Sequence, residues 1–143
     1  MDIQRQFVAT LTSEIGMLDA VLFEKLCHHL ICAIEKDQSL IYRGSNFDGK
    51  PVGYTVDSFS FGGKITGEYS TDKAYFKSPY TKPAHDTNHA LGRASGPIEK
   101  LYLLSNQVCL NGHFPDVEAA VKNADPDCRI CEPIIFDARK IAE

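Results

Sequence analysis

The stretch Y-T-V-D-S-F-S-F-G-G-K-I-T-G-E-Y-S-T-D-K, residues 54–73, decides the predicted fold. Two apolar-rich runs flank Gly62-Gly63, a dipeptide that suits a two-residue turn with positive φ at both central positions. The pattern predicts a β-hairpin centred between the two glycines, so residue i of the first strand lies opposite residue 125 − i of the second. Asp57 then faces Glu68 across the hairpin.

The pairing of Asp57 with Glu68 indicates a metal site. Opposite side chains on an antiparallel pair share one face with Cβ atoms about 4.5–5.5 Å apart, so two carboxylates there repel each other. A cation between them reverses the sign of that interaction. The hairpin therefore predicts a Mg²⁺ site, with Ser70 on the same face. The alternative is a solvated acidic face of a half-exposed strand, and a three-residue loop would change the register.

The composition is that of an ordinary globular domain. The chain has 143 residues, 43% hydrophobic and 24% charged, enough for one domain with its own core. No apolar run approaches the roughly 20 residues of a membrane span, and M-D-I-Q-R-Q does not resemble a secretory signal. Five scattered cysteines favour reduced thiols in the cytoplasm. Because the net charge is −4, contact with nucleic acid requires a local basic patch or metal ions.

Hydrophobic periodicity predicts the order α-α-β-β-(loop)-β-α-β-α, a mixed sheet with helices on both sides. The stretch 75–97 is polar and rich in Pro and Gly, which favours a long functional loop or lid with a short helix around 85–91. The helical pattern A-R-K-I-A-E at the chain end predicts a single domain, 1–143, from the N-terminal part of a longer protein. The predicted helices are 3–15, 18–36, 115–122 and one from 137, and the predicted strands are 54–60, 64–71, 98–107 and 128–136.

The second predicted helix carries Glu24 inside a wide apolar stripe formed by Val21, Leu22, Leu26, Leu30 and Ile34, which is typical of a helix that packs on a sheet. His28 follows Glu24 by four residues, so the two side chains can meet on one face. The local pattern by itself favours an exposed helix carboxylate for Glu24.

These residues resemble the restriction-endonuclease-like PD-(D/E)XK nuclease superfamily, in particular nuclease domains of the Mrr type and those at the N-termini of bacterial anti-phage NTPases. F-E-K-L at 23–26 resembles the helix motif F-E-x-L of such domains. Asp57 matches the aspartate that opens their hairpin, and Glu68-Tyr69-Ser70 stands where E-x-K closes it. The apolar strand at 101–106 and the closing F-D-A-R-K-I-A also resemble this family.

The resemblance implies an α/β fold with a mixed sheet flanked by helices, and a Mg²⁺- or Mn²⁺-dependent endonuclease that acts on DNA. It implies an effector domain of anti-phage defence, cytoplasmic, without membrane association, and assembled as a homo-oligomer through regions outside this segment. The implied metal ligands are Asp57, Glu68 and Glu24, and the implied catalytic residues are these three with Ser70 and Lys73.

One departure from the family pattern concerns the lysine that orients or activates the attacking water, because Ser70 stands in its place. Strict strand alternation turns Lys73 to the face opposite Glu68, whereas Lys77 reaches the site only by folding back from the loop. Lys64 shares the face but lies four residues away, roughly 13 Å at strand rise. The departure keeps open a catalytically inactive module that binds nucleic acid or a partner protein, and more weakly an adaptor without a site.

Basic residues around the hairpin form a predicted phosphate-binding rim, although each alone is equally an ordinary surface charge. The rim comprises Arg43, Lys50, Lys73, Lys77, Lys82 and Arg93.

Two other ligand patterns occur. Cys109-x₃-His113 with Cys128-x₂-Cys131 gives four residue types that bind zinc, but three-residue spacing on the predicted strand puts Cys128 and Cys131 on opposite faces. Core and loop thiols are the alternative. His85-x₃-His89 has helical metal-ligand spacing without an apparent third ligand, which favours solvent-exposed loop histidines.

Overall fold

A computed structural model describes residues 3–36, 40–42, 58–59, 64–94 and 96–143. The helices are α1 (Ile3–Gly16), α2 (Ala20–Glu35), α3 (Thr81–Arg93), α4 (Phe114–Asn123) and α5 (Ala138–Ala142), with a 3₁₀ turn at Asn111–His113. The strands are β1 (Ile41–Tyr42), β2 (Ser58–Phe59), β3 (Ile65–Ser70), β4 (Ile98–Ser105) and β5 (Ile130–Phe136). This part of the chain forms a mixed α/β fold with helices on both faces of one sheet.

The sheet has the order β1-β2-β3-β4-β5. The short strands β1 and β2 pair antiparallel with each other and with β3, whereas β3, β4 and β5 are parallel. The predicted hairpin register is confirmed at both described pairs, because Ser58 lies opposite Gly67 and Phe59 opposite Thr66, each pair summing to 125. The predicted order lacks the fifth strand, Ile41–Tyr42, which lies at the edge of the sheet.

Most predicted helices and strands are present, with ends shifted by a few residues. Side-chain caps define two of the helix starts, because the carboxylates of Asp19 and Asp137 accept hydrogen bonds from the backbone N–H groups of Leu22 and Lys140. None of the described helices combines the length and apolarity that a bilayer span requires.

The stretch predicted as a long loop with a short helix around 85–91 contains a longer helix, α3 (Thr81–Arg93), so the loop prediction is wrong for residues 81–84 and 92–93. Its buried face consists of Pro83, Thr87 and Ala90, residues at helical spacing but small or polar. Because these side chains carry little hydrophobicity, the helical period is weak in the sequence. Thr87 satisfies its hydroxyl by donating to the Pro83 carbonyl oxygen at 2.8 Å, so the buried face needs no outside partner for it.

The predicted apolar stripe of α2 is rotated in the structure. Leu22, Leu26 and Ile34 are exposed, whereas Phe23, Glu24, Cys27, Ile31 and Cys32 are buried. The helix is apolar over more than half of its circumference, so hydrophobicity alone does not determine which side packs on the sheet.

Two core clusters divide the sheet. The α2 face carries Tyr69, Tyr102 and Leu104, which pack against α1, α2 and α5. The α3 face carries Leu101, Leu103 and Ile135, which pack against α3 and α4. Since side chains alternate along a strand, each residue of β3 and β4 is assigned to one face by its position.

Candidate functional site

Glu68 is a carboxylate inside the sheet. It lies in β3 between Gly67 and Tyr69 and opposite Leu103 of the parallel strand β4. Tyr69 belongs to the α2 face, so alternation turns Glu68 to the α3 face. The residue is only 5% exposed. Burial of an ionised carboxylate costs several kcal/mol without compensating partners, so this position requires a specific environment.

His89 on α3 supplies part of that environment. Its Nδ1 lies 2.8 Å from Oε1 of Glu68, and the two side chains are 25% and 7% exposed. A carboxylate oxygen accepts hydrogen bonds, so Nδ1 carries the donated hydrogen. The other ring nitrogen, Nε2, is buried and has no hydrogen-bond partner among the described residues. The interpretation of His89 as a solvent-exposed loop histidine is therefore wrong.

Asp86 extends this polar group along α3. Burial raises the pKa of the Asp86 carboxyl above its ordinary value, while the Tyr75 hydroxyl and the charges of His85 and His89 act in the opposite direction. The Asp86 Oδ1 lies 3.8 Å from Nδ1 of His85, which is itself largely exposed. The sequence signal for this polar group is the helical spacing of His85, Asp86 and His89. The contact between His89 and Glu68 could not be predicted in the same way, because the two residues are 21 positions apart and meet only when α3 packs on the sheet.

Glu24 lies on α2 and is 8% exposed, so the interpretation as an exposed helix carboxylate is wrong. The helix α2 covers the Tyr69 face of the sheet, whereas Glu68 points to the α3 face. The two carboxylates therefore extend from elements on opposite faces. Asp57, the third predicted ligand, lies outside the described residues, as do Gly62 and Gly63.

Ser70, which stands in place of the family's lysine, ends β3. Its hydroxyl oxygen accepts a hydrogen bond from the backbone N–H of Asp72 at 3.1 Å and so starts the turn that follows. Lys73 is exposed in that turn, beyond the end of β3, so strand alternation does not determine which face its side chain takes. Lys82, at the start of α3, forms an ion pair with Asp72 at 3.3 Å.

The rest of the predicted phosphate-binding rim is partly described. Lys77 and Arg93 are exposed, as are Lys73 and Lys82. Arg43 and Lys50 lie outside the described residues.

A polar relay on the α2 face was not predicted. The Tyr69 hydroxyl donates to Oγ of Ser58 at 2.5 Å, and Ser58 Oγ lies 2.8 Å from Nδ1 of His28. Nε2 of His28 lies 3.6 Å from Sγ of Cys32. Burial, followed by the nearby charge of His29, lowers the pKa of His28, so the ring favours its neutral form. The relay holds α2 on the short strand β2.

The zinc pattern is distributed over separate places. Cys109 is buried, and its backbone N–H donates to the Asp137 carboxylate at 2.8 Å, whereas His113 is exposed. The prediction that Cys128 and Cys131 lie on opposite faces of a strand is wrong, because β5 begins at Ile130 and both exposed thiols line the same cleft. No group of three or more His, Cys, Asp or Glu residues suited to a metal ion occurs in the described ranges.

Comparison with known proteins adds no relative: no protein-family model matches the chain, and no significant match was found among curated proteins or solved structures.

Proposed function

We propose that this chain is a metal-dependent endonuclease that hydrolyses phosphodiester bonds of DNA, built on a restriction-endonuclease-like version of its mixed sheet. The order of helix, antiparallel hairpin and parallel crossover supports this proposal. The hairpin register also supports it, because the two described pairs follow the 125 − i relation from which Asp57 is predicted to lie opposite Glu68. The family resemblance adds a setting, the effector domain of a bacterial anti-phage defence protein.

The observation that carries the proposal is the burial of Glu68 in the middle of the sheet. Its described register neighbour is the apolar Leu103 of β4. A leucine or valine at this position would strengthen the core, whereas a carboxylate weakens it unless a partner offsets the cost. Such a position is typical of a residue retained for binding or catalysis.

Mg²⁺ or Mn²⁺ is the cofactor that fits Glu68. Mg²⁺ prefers hard oxygen ligands and is commonly held by one or two carboxylates together with waters and substrate phosphates. The buried carboxylate of Glu68, on a chain with exposed basic residues in the segment that follows β3, is compatible with that pattern. Glu68 and Asp57 would hold the ion, without Glu24, because α2 lies on the opposite face of the sheet from the Glu68 side chain. The bound ion would lower the pKa of water and stabilise charge on the phosphate oxygens.

The chain's own residues would bind and orient the substrate. Exposed Lys73, Lys77 and Arg93 would contact phosphates on either side of the scissile bond, independent of base sequence. In the reaction a water oxygen forms a bond to phosphorus, the bond from phosphorus to the leaving sugar oxygen breaks, and that oxygen takes up a proton as the attacking water loses one. Ser70 would keep the turn after β3 in place next to Glu68.

Plasmid cleavage tests the proposal. Supercoiled plasmid is incubated with wild type and with Glu68→Ala, with Mg²⁺, with Mn²⁺ and with EDTA. We expect nicked or linear product only from wild type with a divalent ion. Equal cleavage by both proteins, or no cleavage by wild type with either ion, would contradict the proposal.

A second candidate function is a nuclease-like module that binds nucleic acid or a partner protein without cleaving. The observation that favours it is Ser70 in the lysine position, together with His89 rather than a lysine as the described basic group on Glu68. Fluorescence anisotropy with labelled duplex DNA separates the two functions. Binding with unchanged DNA length under both metal ions would support the module, whereas binding followed by cleavage would support the enzyme.

A further inference from the structure

The helix α3 brings a basic group to Glu68 from a part of the chain that follows the hairpin. The contact joins His89 Nδ1 to Glu68 Oε1 at 2.8 Å, a length typical of a charge-assisted hydrogen bond. Thr87 and Ala90 of the same helix are fully buried, and Ala90 belongs to the core cluster of the α3 face. The helix that carries His89 is therefore packed against the sheet.

The hydrogen-bond pattern of His89 is asymmetric. Nδ1 donates to Glu68, while Nε2 is buried without a partner among the described residues. A buried acceptor without a partner costs about 1–3 kcal/mol. The described hydrogen bond of the ring is therefore the one to Glu68, which holds that carboxylate from the side of α3.

We propose that His89 is a positioning residue that holds the Glu68 carboxylate in one orientation for metal binding. This inference rests on the proposed nuclease function. Carboxylates that ligate metals are themselves held by hydrogen bonds, and loss of such a partner lowers metal affinity or activity about 10–100-fold. His89 acts through Glu68 and requires no contact with the scissile phosphate.

Two substitutions separate the ring nitrogens. The amide nitrogen of His89→Asn lies near the place of Nδ1 and keeps a donor for Glu68. The amide of His89→Gln lies near the place of Nε2 and loses that donor. We expect His89→Asn to keep Mn²⁺ affinity, measured by electron paramagnetic resonance with Mn²⁺ alone, and plasmid cleavage within about threefold of wild type. His89→Gln should lower both about 10–100-fold. Thermal unfolding of each variant checks folding.

The outcomes distinguish this inference from the proposed function. Wild-type values in both variants, while Glu68→Ala is inactive, would overturn the role of His89 and leave the nuclease proposal standing. Equal losses in both variants would overturn the role of the Nδ1 donor. If wild type neither binds Mn²⁺ nor cleaves DNA, both proposals fall.

Nitrogen-15 spectroscopy of the wild-type protein tests the inference even if a variant does not fold. Nitrogen-15 spectra of the His89 ring should show hydrogen on Nδ1, and the Nδ1 signal should shift when Mg²⁺ is added. Hydrogen on Nε2 alone, or no response to Mg²⁺, would overturn the inference.

Discussion

Two buried carboxylates on opposite faces of the sheet have equal exposure but different partners. The side chains of Glu35 and Glu68 are each 7% exposed. On the α2 face, Oε2 of Glu35 accepts hydrogen bonds from Lys100 Nζ at 3.0 Å and from the Tyr102 hydroxyl at 3.2 Å. On the α3 face, Oε1 of Glu68 lies against the ring of His89.

The difference separates a structural pair from a candidate site. Lys100 and Tyr102 lie two residues apart on β4, so they reach the same carboxylate whenever α2 packs on the sheet. Because lysine is charged at neutral pH, Lys100 compensates the negative charge of Glu35 within the fold. Glu68 instead pairs with His89, whose ring is charged only when it is protonated. Stability explains Glu35, and the proposed function gives Glu68 its role.

The largest expected effect on stability comes from two adjacent leucines that point to opposite faces. Leu103 and Leu104 are both fully buried, the former on the α3 face beside Glu68 and the latter on the α2 face. Leu103→Ala and Leu104→Ala should each lower the free energy of unfolding by about 2–5 kcal/mol, because each leaves a cavity. Urea titration measures this loss.

Plasmid cleavage by the same two leucine variants tests which face of the sheet carries the site. Under conditions in which both variants are folded, Leu103→Ala should reduce plasmid cleavage because the cavity borders Glu68, while Leu104→Ala should not. A reduction in Leu104→Ala alone would place the site on the α2 face.

A smaller effect is expected at Gly67. A Cβ there would lie 2.6 Å from the Tyr69 hydroxyl oxygen and 2.9 Å from two atoms of its ring, and that hydroxyl is bound to Ser58. Gly67→Ala should cost about 1–3 kcal/mol through this overlap. Gly92→Ala is the control, since nothing lies within 4 Å of its added Cβ and the helix should gain up to about 1 kcal/mol. Equal effects in thermal unfolding would contradict the described packing of Tyr69.

The smallest expected effect concerns Tyr102 and appears at high pH. Burial, and then the charge of Glu35, raises the pKa of Tyr102 above its ordinary value. The hydrogen bond and charge of Glu35 likewise raise the pKa of Lys100. Both groups stabilise the fold below about pH 10, and that contribution is lost as the pH rises further.

Tyr102→Phe should therefore cost about 1 kcal/mol at neutral pH and make the alkaline loss of stability less steep. Urea titrations from pH 8 to 11 measure both. An alkaline slope unchanged from wild type would contradict a raised pKa of Tyr102 in the folded protein.

The local sequence was sufficient to predict the register of the hairpin but not how α2 and α3 pack around it. The register at Ser58 and Gly67 followed from two glycines, because turn geometry determines pairing over the adjacent residues. The partner of Glu68 did not follow, because it depends on how α3 packs, and the buried side chains of α3 have little apolar character. The burial of Glu24 was missed for a related reason, since α2 has apolar residues on both the packed and the exposed side.

The most direct test of the account is plasmid cleavage by Glu68→Gln and Glu35→Gln, measured with Mn²⁺ on protein shown to be folded by circular dichroism. Both substitutions remove one buried negative charge and keep the shape of the side chain. We expect Glu35→Gln to cleave plasmid at a rate within a few-fold of wild type, whereas the cleavage rate of Glu68→Gln should fall at least about 100-fold. Comparable rates in the two variants would contradict the claim that Glu68 is the functional carboxylate.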